Sequence, residues 1–79
     1  MKQKELEEKR KRLGNLLRSQ RQLLKISKVE MSKMSGLSRV TIDKLENGYN
    51  VAIDSVIIFN EVIGKEIYFL ECGQMPNFI

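Results

Sequence analysis

The sequence predicts an all-α domain of four to five helices, and three observations carry that reading. Apolar residues recur at helical spacing in two stretches, Leu13, Leu16, Leu17 and Leu24 in the first, Ile53, Val56, Ile57, Val62 and Ile63 in the second. Between them stand residues that start and stop helices: Ser27 with Glu30 three positions on, Gly36, Ser38, and the pair Asn47-Gly48. The only proline is Pro76, so nothing interrupts the earlier helices.

Residues 1–12, MKQKELEEKRKR, are polar all round and rich in helix formers, with Glu5–Lys9 and Glu8–Arg12 as acid-first pairs four apart. They read as a charged, frayed extension of the first helix, with a disordered arm as the alternative. The first helix proper starts at Leu13 and ends near Lys25, with Ile26 packing beneath the turn. Ser27-x-x-Glu30 is a capping box, and a second helix follows over about Lys28–Met34. Gly36 suits the left-handed residue after that helix, and Ser38 caps a third that runs to about Glu46. Asn47-Gly48 closes the third helix, because this pair tolerates positive φ. A fourth helix carries Asp54 and Ser55 in its first turn and ends at Gly64. The segment 65–71, KEIYFLE, is β-branched and aromatic at its centre. It reads as a strand, with a last helical turn as the alternative, and a lone strand calls for the same strand of a second copy. Tyr68 and Phe69 then belong to the core or to a dimer contact, and the remainder is a tail.

Composition excludes several classes. At 79 residues the chain holds one compact domain with a thin core. Cys72 is the only thiol and histidine is absent, so internal disulfides, structural zinc sites and Cys-His or Ser-His-Asp chemistry are ruled out. Cys72 has no basic neighbour close in sequence and is read as inert. No apolar run approaches the roughly 20 residues of a membrane span, and the charged N-terminus is unlike a secretory signal, so the cytoplasm is the expected location. No cofactor and no enzymatic activity are expected. Charge is uneven: residues 1–12 carry a net +3, residues 13–50 a net +4 and residues 51–79 a net −3. The basic two thirds fit a polyanionic partner. The cluster at positions 9–12 is read as a solvated helix face.

Two short helices joined by a glycine-containing turn form the core of a helix-turn-helix, and KVEMSKMSGLSRVTIDKLEN meets its demands. Met31 and Leu37 are apolar where the helices touch, Ser32 is small where the next helix crosses, and Ile42 and Leu45 face inward three apart. Arg39, Val40, Asp43 and Lys44 face outward, as groove reading requires.

The strings LGNLLRSQR, ISKVEMSKMSGLSRVTIDKLENG and AIDSVIIFNEVIG resemble the XRE-type, or Cro/cI-type, helix-turn-helix family, with SRVTIDKLENG the most specific. The resemblance implies a lambda-repressor-like domain over residues 13–64, preceded by the 1–12 extension and followed by residues 65–79. It implies base-edge contacts from Ser38, Arg39, Val40 and Lys44, with Arg39 on a guanine and Val40 against a thymine methyl. It places Thr41 for a base or backbone contact, and Lys28, Asn47 and Tyr49 along the sugar-phosphate chain. It pairs Arg21 of the first helix with Glu46 of the third. Ser35, Val51 and Asp43 depart from the family's pattern: Ser35 puts a hydroxyl where a small apolar residue is usual, Val51 replaces a common proline, and Asp43 adds an acid to the exposed face. The implied partner is double-stranded DNA, bound at the nucleoid by a homodimer on a palindromic operator, for transcriptional regulation. An alternative is a HipB-like antitoxin that also holds a protein toxin and dimerises through the 65–71 strand.

Overall fold

The computed structural model describes the backbone of residues 2–73 and the side chains of residues 2–67. Four helices follow in order: α1 (Gln3–Leu23), α2 (Lys28–Ser35), α3 (Arg39–Glu46) and α4 (Ile53–Gly73). Their ends are set by local chemistry. After α1, Lys25 takes a positive φ of 58°, and the Ile26 amide donates back to the Arg21 carbonyl at 3.1 Å. That turn drops Ile26 into the core. The capping box forms in both directions: the Glu30 amide donates to Ser27 Oγ, and the Ser27 amide donates to Glu30 Oε1, each at 3.1 Å. The Ser27 amide, donating to the carboxylate, is the largest cause that holds the Glu30 carboxyl below its ordinary range, and the Ser27 hydroxyl adds to it. Gly36 (φ 77°) and Gly48 (φ 82°) occupy the left-handed region after α2 and α3.

The core joins all four helices. Leu17, Ile26, Met31, Ile42, Leu45, Phe59 and Ile63 are buried, and Leu37, Val51, Val56 and Ile67 are among the half-buried residues against them. α1 packs on α3 and α4, and α2 packs on the same two, so α3 is clamped from behind.

Two faces differ from the periodic reading. On α1 the buried residues are Gly14, Leu17 and Arg21, whereas Leu13 and Leu16 are exposed. The end of α3 crosses α1 at Gly14, where a Cβ would stand 2.6 Å from the carbonyl oxygens of both Leu45 and Glu46. Only the residue without a side chain admits that approach. On α4, Ile53 and Ile57 are exposed, and the inward residues are Phe59 and Ile63, flanked by Val56 and Ile67.

At the C-terminal segment the helical alternative holds and the strand does not. Residues 65–71 are helical, and α4 runs through Gly64 to Gly73. One helical glycine costs only about 1 kcal/mol relative to alanine, and Ile63 and Ile67, four apart, continue the core-facing stripe past it. The side chains of Tyr68, Phe69 and Cys72, and residues 74–79, lie outside the described residues.

Gly14 and Gly64, both within helices, give one substitution opposite signs. Gly14→Ala forces the α1–α3 crossing apart and should cost about 1–3 kcal/mol despite its better helix propensity. Gly64 has nothing within 4 Å of its would-be Cβ, so Gly64→Ala should stabilise by up to about 1 kcal/mol. Urea titrations of the two variants check this; equal signs would refute the crossing geometry.

Candidate nucleic-acid interface

The α2–turn–α3 unit is tied by small hydroxyls. Ser32 Oγ donates to the Leu37 carbonyl at 2.6 Å. Ser35, out of pattern for an apolar position, donates to the Met31 carbonyl at 2.6 Å and accepts from the Leu37 amide at 3.1 Å. Its half-buried hydroxyl is therefore satisfied on both sides, and the turn gains a fixed shape. Behind α3, Ile42 and Leu45 bury their side chains in the core.

A buried ion pair fixes the end of α3. Glu46 is 0% exposed and Arg21 is 6% exposed. Arg21 Nε donates to Glu46 Oε2 at 2.6 Å and Nη2 to Oε1 at 3.1 Å, a two-pronged match of guanidinium to carboxylate. The remaining Nη1 donates to the Ile26 carbonyl at 2.7 Å, so Arg21 joins α3 to the α1–α2 turn as well. Arg18, which the sequence reading passed over, adds Nε to Glu46 Oε1 at 3.4 Å and Nη2 to Asn47 Oδ1 at 2.7 Å. Its position three before Arg21, on the same helix face, was the available signal.

The residues singled out for binding fall into two groups. Arg39, Val40, Lys44 and Tyr49 project from the surface as exposed side chains. The others are engaged locally. Ser38 Oγ accepts from the Thr41 amide at 3.1 Å and donates to Thr41 Oγ1 at 2.9 Å, so both hydroxyls serve the helix cap. Asn47 donates through Nδ2 to the Asp43 carbonyl at 2.8 Å and accepts from Arg18, which sets the loop after α3. Lys28 Nζ lies 2.5 Å from Asp43 Oδ1. That contact lowers the Asp43 carboxyl below its ordinary range, the Lys28 hydrogen bond being the largest cause. The acid on the outer face is thereby partnered by the cation at the start of α2. Arg10 Nε donates to the Gly48 carbonyl at 3.2 Å, and the Lys11 backbone lies against Gly48. Residues 47–50 and Glu7, Arg10 and Lys11 line a surface groove.

A short helix with a buried back, an outward row of Arg39, Val40 and Lys44, and a second helix braced across it is the geometry of a DNA-binding module. Residues 17–70 match the model of the Helix-turn-helix family, and the chain belongs to that family, in its XRE-type form, whose members bind DNA in sequence-specific fashion and regulate transcription. No curated protein and no solved structure matches the chain significantly. Among the described residues no group of three or more His, Cys, Asp or Glu side chains is placed to hold a metal, and no helix is long and apolar enough to cross a membrane.

Proposed function

We propose that this protein is a transcriptional repressor that binds a palindromic operator as a homodimer, in the cytoplasm at the nucleoid, without a cofactor. The observation that carries the reading is α3: its inner side is fully buried at Ile42 and Glu46, while Arg39, Val40 and Lys44 stand outward on one short, braced helix. Two such helices from a dimer would enter successive major grooves about 34 Å apart. Arg39 reads a guanine edge, Val40 packs on a thymine methyl and Lys44 takes a base or phosphate. Tyr49 meets the sugar-phosphate chain. Lys28, Ser38, Thr41 and Asn47 lie at the same surface, and their local bonds support a framing role with backbone contacts. The antitoxin alternative drew on a strand at 65–71; the helix there removes that support.

Selection of bound sequences from random duplexes at stated salt tests the reading. A palindromic consensus is expected, and no complex at low salt would sink it. On that consensus, Arg39→Ala should lose about 1–3 kcal/mol of discrimination at one base pair per half-site, with nonspecific affinity reduced much less. An equal loss on all sequences in a gel-shift series would reassign Arg39 to phosphate.

A further inference from the structure

α1 carries a second apolar stripe that its own domain leaves in solvent. Leu6 is 40% exposed, Leu13 47%, Leu16 54% and Leu23 81%. These residues lie at alternating intervals of seven, three and seven, the a and d positions of a heptad, with Lys9 and Gln20 filling the two remaining places. The inward face of the same helix, Gly14, Leu17 and Arg21, is already spent on α3 and α4. α1 spans 21 residues, three heptads, and is about 31 Å long. Four leucines on one exposed line are more apolar surface than a solvated helix face carries.

The stripe is self-complementary in one direction. When two copies of α1 run antiparallel about an axis between Asn15 and Gly14, Leu6 meets Leu23 of the other copy, Leu13 meets Leu16, and Lys9 meets Gln20. Every a residue faces a d residue, apolar on apolar and polar on polar. The parallel arrangement also stacks the leucines but sets Lys9 against its own copy. It also places two segments of net +3, residues 1–12, side by side. The antiparallel one sets residues 3–12 beside residues 17–26, where Arg18 and Arg21 are turned to Glu46 and Lys25 is the one further cation. Charge therefore selects the antiparallel pair.

We infer that the dimer forms through α1, antiparallel, with Leu6, Leu13, Leu16 and Leu23 as its seam and a second copy of this chain as the occupant. This rests on the homodimer reading above and supplies the surface that the strand was expected to provide.

The test uses the full chain in a Cys72→Ser background. Leu6→Cys chains mixed with Leu23→Cys chains should form a mixed disulfide under mild oxidation. Leu6→Cys alone should not couple to itself, because those positions then lie about 25 Å apart along the pair. Leu13→Asp/Leu16→Asp, at two exposed positions, should raise the dimer dissociation constant at least about a hundredfold in sedimentation equilibrium. Leu6→Cys coupling to its own copy, or a dimer of unchanged strength in the double Asp variant, overturns the seam while leaving a homodimer. A wild-type chain that stays monomeric on its operator overturns the homodimer reading as well.

Discussion

Glu46→Ala should destabilise the domain by about 3–5 kcal/mol, a large fraction of what a chain of this size possesses. A 79-residue domain has roughly 4–12 kcal/mol of stability. The substitution leaves the Arg21 guanidinium buried against Ile26 with two of its hydrogen bonds unmade, and an uncompensated buried charge carries that cost. Arg21→Met should cost about as much, for the mirror reason: the Glu46 carboxylate stays at 0% exposure with only Arg18 beside it at 3.4 Å. The double variant Arg21→Met/Glu46→Leu should recover most of the loss, since apolar residues of similar volume fill the same space without a stranded charge. Urea unfolding of the wild type and the three variants measures these losses and the recovery. A loss below about 1 kcal/mol in Glu46→Ala would mean that the pair is solvated and does not brace α3.

Phe59→Ala should cost about 3–5 kcal/mol, whereas Ile57→Ala, two residues away, should stay within about 1 kcal/mol. Phe59 is the largest fully buried side chain among the described residues and belongs to the same core cluster as Met31 and Ile42. Ile57 is 52% exposed on nearly the opposite side of the helix. The contrast tests the rotation of α4 about its axis. Comparable losses at the two positions would place the helix in the orientation that the bare periodicity suggested.

The elements around the turn were legible because their signals are local. A serine followed three residues later by glutamate satisfies two amides within one turn, whatever surrounds it, and Ser27 and Glu30 do so. Gly36 and Gly48 adopt the positive φ that their positions demand. The Arg21–Glu46 pair came from family resemblance, and the structure joins the two side chains. What the sequence left open were rotations. Leu13, Leu16 and Leu17 offer two adjacent helix faces, and Val56 through Phe59 is continuously apolar, so hydrophobic spacing does not choose a side. The polar candidates were similarly ambiguous. Ser38, Thr41 and Asn47 have short side chains at helix ends, where backbone groups compete for them, and all three are drawn into capping bonds.

The amino-acid order alone determined where α1 stops, where α2 and α3 start and stop, which helix faces outward with Arg39, Val40 and Lys44, and the family to which the fold belongs. Each of those depends on contacts within a few residues or on a short, specific string. The tertiary structure decided that Gly14 lies at the α1–α3 crossing, that Phe59 fills the centre and that α4 continues through Gly64. It also decided that Lys28 is spent on Asp43. Those outcomes turn on distances between segments far apart in the chain, where shape and unpaired charge, rather than spacing, select the partner.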